Sequence, residues 1–406
     1  MKAVMYGAGN IGRGFVAKRF YQSGMDTTFI DINAELVARL NTAGKYPIYE
    51  TRGGRYETEW VENISAIDGR DTGAVAEAIA AADIMATSLG VNVLPHVAPL
   101  IAAGIELRYK RGGRPLNILI CENLIGAEAH LRGLVGKYIP GEVKSYFEDQ
   151  IGFVSASICI TVPPTPEKFL AENPLAVCTD AYRELPVDLD AFRPRGAELP
   201  KIDGMVARSP FSFFIERKLL IHNMGHALMA YLGWQKKINL IYDITCNGEI
   251  KYILIRALVE SARALAKKHG VPTDELLQFV EDLMVRFENK LLVDDVFRVG
   301  RDPARKLSAG DRLGGAFKLV REQGGVPAHI AVGIAAGLLF DHPDDPIALE
   351  VSGYAKDAGV AAALRKYCSI TDPADVEMIE TLYNLLQSKA PFSSLVEALS
   401  TMKSTH

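Results

Sequence analysis

The chain has 406 residues, 49% hydrophobic and 23% charged, with a formal net charge of −4. That length exceeds one ordinary core and predicts two domains, while the weakly acidic balance excludes a basic field for holding a nucleic-acid backbone. The five cysteines, Cys121, Cys159, Cys178, Cys246 and Cys368, show no CxxC or CxxH spacing. They read as small buried hydrophobes, with neither a disulfide framework nor a thiolate zinc site expected.

Residues 3–6 form a short apolar strand that runs straight into Gly7-Ala8-Gly9-Asn10-Ile11-Gly12. With a strand expected from residue 2, no room is left for a leader, and a reduced, cytoplasmic, soluble protein is expected. A helical pattern follows the glycines, then a turn at Ser23-Gly24 and a second apolar strand, 27–30, ending in Asp31. In this order Gly7 permits the tight turn, Gly9 lets backbone approach a pyrophosphate, and Gly12 lets helix pack on strand. The loop residues Asn10 and Ile11 open a helix whose free N–H groups face the phosphates. Asp31, about 20 residues on, is placed to accept hydrogen bonds from the adenine-ribose hydroxyls. Its charge would repel a 2′-phosphate, so NAD is expected over NADP. Arg13 directly follows the loop and is read as structural or pyrophosphate-side.

Further strands are expected at 83–87 and 116–121, ending in Thr87-Ser88 and Glu122-Asn123. Ligands of open α/β sheets sit outside the carboxyl ends of the strands, so both turns are expected at the cofactor crevice. Short β-rich pieces at 153–162 and 175–181, broken by Pro163, Pro164 and Pro166, would extend the sheet, with antiparallel strands among them. The run 194–204 reads as the domain boundary. From about Phe211 the pattern is helical, with helices expected at 250–267, 273–287, 326–340, 346–358 and 376–388. The most apolar stretch, 330–340, falls short of the roughly 20 residues of a membrane span. The expected fold is therefore α/β. It has an N-terminal Rossmann-like dinucleotide-binding domain with added strands over 1–200, and a mostly α-helical substrate-binding and catalytic domain over 205–406. No heptad seam indicates an oligomeric state.

One helix carries a constellation. At about 100° per residue, Lys218, His222, Asn223 and His226 share an arc, opposite Leu220, Met224, Ala227, Leu228 and Tyr231. A lysine can take an alcohol proton if burial and nearby positive charge lower its pKa to roughly 7–8. An amide can donate to the developing alkoxide and an imidazole can fix a neighbouring hydroxyl. Spacing alone also fits a solvated helix face. Downstream, Arg298, Arg301, Arg305, Lys306 and Arg312 either clamp a phosphate or pair with Asp294, Asp295, Asp302 and Asp311.

Lys218-x-x-x-x-Asn223-x-x-His226 resembles the signature helix of the polyol-specific long-chain dehydrogenases, the mannitol dehydrogenase family. Several further segments extend the likeness: Phe214 to Lys218, Gly225-His226-Ala227, the opening glycine loop through Gly14, and Cys121-Glu122-Asn123. So do Arg286-Phe287-Glu288-Asn289, Asp294-Asp295-Val296, Arg298 to Arg301, Arg305 to Ser308 and Asp311-Arg312-Leu313. The resemblance reaches about residue 340. It implies metal-independent, NAD-dependent hydride transfer on a small polyol or ketose, most closely the sugar-phosphate pair mannitol 1-phosphate and fructose 6-phosphate. It implies Lys218 as general base, with Asn123 and Asn223 as the oxyanion hole. His226, Arg298 and Lys306 would bind substrate, and Glu122 would relay protons. A sibling acting on free mannitol, arabinitol or a hexuronate, or an NAD-binding sensor without catalysis, are the alternatives. His222 departs from the family, where this position is apolar, and is read as packed or solvent-facing rather than substrate-contacting.

Overall fold

The computed structural model describes residues 1–52, 54–124 and 126–404, so the last two residues of the expected second domain lie outside it. The chain divides into two compact units, Met1–Phe214 and Ile215–His406.

The first unit is organised by a six-stranded sheet of order β5-β2-β1-β6-β7-β8. Its members are β1 (Lys2–Tyr6), β2 (Asp26–Asp31), β5 (Ile64–Asp68), β6 (Ile84–Thr87), β7 (Leu116–Ile120) and β8 (Ile151–Ser155). Every pairing in it is parallel. Successive side chains of β1 enter opposite cores. Ala3 and Met5 pack with Phe15, Phe20 and Phe29 on one face, and Val4 and Tyr6 with Ile79, Leu94 and Ile118 on the other. Burial on both faces explains why these strands read as continuous apolar runs. The order reverses between β1 and β6, the switch point where such sheets take ligands.

The added strands lie elsewhere than the sequence suggests. Of the stretch 153–162, the first residues complete β8, which joins the sheet as a parallel edge, and the residues just before the prolines are irregular. The piece at 175–181 becomes β9 (Val177–Asp180), in a separate sheet with the hairpin β3 (Tyr46–Arg52) and β4 (Arg55–Val61). There β3 pairs antiparallel with β4 and parallel with β9.

The division between the units falls beyond the run 194–204, after Phe214. β11 (Met205–Arg208) pairs with β10 (Leu185–Asp188), and Asp203 binds the buried Arg19 guanidinium at 2.6 Å, tying that run into the first unit. The second unit is helical throughout. Its centre is the helix Ala328–Leu338, buried at every residue, packed against Met224–Gln235 and Pro373–Gln387. A helix apolar all round belongs in the middle of a bundle. No helix among the described residues is long and apolar enough to cross a membrane.

Candidate active site

In the first unit the glycine loop is held from two sides. Gly7 adopts φ +104°, and a Cβ there would lie 2.3 Å from the Ser88 carbonyl oxygen. A Cβ on Gly12 would lie 2.0 Å from the Gly7 carbonyl oxygen. Both glycines are therefore demanded by the fold itself. Gly9 differs: a Cβ there would meet nothing within 4 Å, so protein packing does not require it. Open space beside an exposed backbone, at the start of a helix and at the switch point, fits a pyrophosphate. Asn10 is exposed and Ile11 half-buried at that helix start.

Asp31, at the end of β2, reaches back across the loop. Its carboxylate accepts from the Ala8 N–H at 2.8 Å and from the Asn33 N–H at 2.9 Å. Arg13 is buried and spends its guanidinium on the Ala8 and Leu175 carbonyls, at 2.7 and 2.5 Å, so its role is structural. Thr87, expected at the crevice, is sealed in the doubly covered sheet with 0% exposure, whereas Ser88 is half-buried beside Gly7. Glu122 accepts from the N–H groups of Leu89 and Gly90, both at 2.9 Å. Each of its oxygens thus pins the loop after β6. Asn123, next in the chain, is exposed.

In the second unit the signature helix is not α-helical throughout. Lys218–Asn223 is a π-helix between Ser212–Arg217 and Met224–Gln235. Its hydrogen bonds close on the fifth residue, so Lys218 and Asn223 stand one turn apart, where an α-helix would separate them by about 140°. The buried Ser261 hydroxyl donates to the Leu220 carbonyl at 2.7 Å, a partner for a group within the widened turn. Gly225 lets the helix press on Gly248–His269, since a Cβ there would lie 2.7 Å from Leu258. Lys218, Asn223 and His226 are half-buried, but His222 has turned inward, edge-on to Phe287 at 5.8 Å. Burial, then Arg286 and His226, push the His222 pKa well below its ordinary value, so it stays neutral.

His226 stacks on Phe287 at 5.4 Å and its Nε2 lies 3.1 Å from Asp294. The same carboxylate receives Arg298 bidentately, Nε at 2.6 Å and Nη2 at 2.5 Å. Burial alone would raise the Asp294 pKa, yet the hydrogen bonds and charges of His226 and Arg298 bring it down to about 2. One buried anion thus fixes two of the expected substrate-binding groups. Sequence reasoning had assigned Asp294 only as a partner that would neutralise charge. Its spacing of four residues before Arg298 was the available signal.

The basic loop resolves into pairs. Arg305 bonds Asp302 at 2.9 Å and Asp311 at 3.0 Å, and Arg312 bonds Asp311 at 2.7 Å. Asp295 caps the next helix through the Arg298 N–H. Lys306 is 4% exposed and donates to the Arg301 carbonyl, and burial, with Arg312 and Arg305 near, lowers its pKa to about 7. Arg301 is exposed and makes no ion pair among the described residues.

Residues 1–201 match the mannitol dehydrogenase Rossmann domain, and residues 211–401 match the mannitol dehydrogenase C-terminal domain. The chain belongs to the mannitol dehydrogenase family. It is 38% identical over 359 residues to a mannitol-1-phosphate 5-dehydrogenase of Brevibacillus brevis, spanning 88% of this chain and 91% of that protein. A solved D-sorbitol dehydrogenase in substrate-free form superposes with a TM-score of 0.80 at 16% identity, over 98% of this chain and 94% of that one. Mannitol 2-dehydrogenase of Pseudomonas fluorescens, in a ternary complex with NAD and D-mannitol, gives 0.72 at 16% identity, over 99% and 94%. At that identity the two structures establish the family fold, a dinucleotide-binding Rossmann unit and a helical unit.

For this member of the family, the two outer glycines and the middle one should separate cleanly. Gly12→Ala is expected to lower Tm by several degrees. Gly9→Ala should leave Tm unchanged but weaken NADH binding in a fluorescence titration; unaltered affinity would remove Gly9 from the cofactor site. Asp294→Asn leaves Arg298 and His226 without their shared anion and, since the Arg298 guanidinium still reaches water, should cost about 1–2 kcal/mol in denaturant unfolding.

Proposed function

We propose that the chain interconverts D-mannitol 1-phosphate and D-fructose 6-phosphate with NAD. The observation that carries this reading is the likeness, across most of both chains, to a mannitol-1-phosphate 5-dehydrogenase. In the oxidative direction Lys218 takes the proton of the secondary hydroxyl at Nζ. Asn223 donates a hydrogen bond to the oxygen as its charge develops, the role that the family resemblance also gives Asn123, and preorganised stabilisation of this kind lowers such barriers most. Bound NAD supplies the hydride acceptor. The glycine loop, with Gly7, Gly9, Asn10, Ile11 and Gly12, would hold the pyrophosphate, Ser88 would flank it, and Asp31 would hold the ribose hydroxyls and disfavour a 2′-phosphate. His226 and Arg298, fixed by Asp294, would hold substrate hydroxyls without paying to be ordered at each turnover. Lys306 would add a cation beside them. Glu122 would act by holding the loop next to Asn123.

The paired state of Arg298, Arg305 and Arg312 leaves Arg301 as the cation best able to meet a phosphate. NADH oxidation with fructose 6-phosphate and with free fructose tests the reading. Strong preference for the phosphate ester is expected, and Arg301→Ala should raise KM for the ester by about tenfold while leaving fructose unaffected. Equal use of both sugars by the wild type would overturn the phosphate assignment.

Lys306 adds a pH signature. Its folded pKa of about 7 lies below the ordinary 10.5. Between those values the unfolded chain binds a proton that the folded chain does not, so this group makes stability rise with pH there. Substrate binding through its cation should do the opposite, with KM climbing above pH 7. Both trends should flatten in Lys306→Met; a wild-type KM independent of pH from 6 to 9, measured at about 0.1 M salt, would exclude the cation from binding.

A further inference from the structure

We propose that the helical unit carries a second ligand site, separate from the one above, for an amphiphilic anion: a carboxylate on an aliphatic chain. A cavity of about 340 Å³ lies among the helices Met224–Gln235, Gly248–His269, Pro373–Gln387 and Phe392–Ser404. That volume falls in the range of small-molecule sites. Its lining is largely aliphatic: Leu232, Ile253 and Leu395 are buried, and Leu385, Leu386 and Phe392 are half-buried. Apart from the charged residues of the rim, Gln235 is the polar side chain of the lining among the described residues, too little to answer every hydroxyl of a polyol, so the chamber suits a ligand with an apolar body.

The rim is cationic. Lys236, Lys237 and Lys389 line the cavity together with Glu249. Lys236 is matched by Glu249 at 2.8 Å. Lys237 and Lys389 are exposed and make no ion pair among the described residues, so the rim keeps uncompensated positive charge. Both lysines also hold left-handed backbone, φ +56° and +54°. Each sits just past the end of its helix, where the chain turns back through Ile238 N–H to Gly233 O at 2.9 Å and Ala390 N–H to Leu385 O at 3.0 Å. Glycine is the usual residue at this turn, because a Cβ is disfavoured there. Two helices from distant parts of the sequence thus end in the same uncommon way, with a lysine in place of glycine, at the mouth of one cavity. Residues held in such conformations concentrate at ligand sites. An apolar chamber with a cationic mouth is complementary to a carboxylate on a hydrocarbon chain. A sugar phosphate, wet along its whole length, does not fit it.

The probe is decanoate, titrated below its micelle concentration into the full chain by calorimetry and followed by thermal shift. Decanol serves as the neutral match and acetate as the bare head group. Saturable binding of one decanoate per chain is expected, with decanol and acetate weaker by at least about tenfold. Lys237→Asn with Lys389→Asn removes both charges while keeping a side chain that tolerates left-handed backbone, and should weaken decanoate by a similar factor. Leu386→Trp should block the chamber. Turnover of the polyol site without decanoate should be unaltered in the lysine variant, so loss of this site and loss of the dehydrogenase reading are read separately. Decanol binding as well as decanoate, or decanoate binding equally to all variants, would mark non-specific adsorption and overturn the proposal. Absence of decanoate binding would overturn it too, and a change of oligomeric state in Leu386→Trp would then assign the chamber to a contact between copies.

Discussion

Asp294 is the constraint on which the helical unit's chemistry depends. Taking a carboxylate out of water costs several kcal/mol unless its charge is answered at close range. Here it is answered by an imidazole from the signature helix and a guanidinium from the short helix Val296–Gly300 that follows Asp294. The backbone is sewn down at the same place: the Ile241 N–H donates to the Asp294 carbonyl and the Val296 N–H to that of Asn239. The buried anion gives both partners a fixed point of attachment. Orientation of polar groups before substrate arrives is worth more to a reaction than their mere presence.

The first unit uses the same device with backbone donors. Asp31 accepts from Ala8 and Glu122 from Leu89 and Gly90, so carboxylates at or just beyond strand ends hold the neighbouring loops at the switch point. Loops at such crevices must present N–H groups outward while remaining fixed. Carboxylates reaching across from the next strand satisfy part of the backbone and leave the rest for a ligand. Arg13, a cation beside a phosphate loop, is turned away from that task by the Leu175 carbonyl.

Much of this was legible in the sequence, where periodicity and local chemistry agree. The strand, glycine loop, helix and terminal aspartate of the first βαβ unit announce themselves, and the long amphipathic helices follow their caps closely. The hairpin β3–β4 was not, because β4 carries alternating charged residues on a largely exposed strand. Nor could β9 be placed, since its partner β3 lies more than a hundred residues earlier and no local signal names a distant neighbour. Thr87 illustrates a different limit: a polar residue at a strand end reads as crevice-facing, yet a sheet covered on both sides can still enclose it. The arginine cluster was ambiguous only in aggregate. Taken pair by pair, Asp294 with Arg298 and Asp302 with Arg305 stand at helical spacing.

The widened turn at Lys218–Asn223 has a consequence for how this helix tolerates change. A π-turn amounts to one residue more than an α-helix needs, kept at a cost in regular hydrogen bonding. Deleting a residue usually ruins a helix by rotating everything beyond it. Here, removal of one residue between Lys218 and Asn223 would let the segment relax into regular α-helix with the flanking Ser212–Arg217 and Met224–Gln235 still in phase with their neighbours. The shortened helix would be the more comfortable one, with lysine and asparagine then four residues apart and still on one face; what it would lose is the widened turn itself. In this stretch the chain is longer than its own packing asks for, and the surplus residue is the signature.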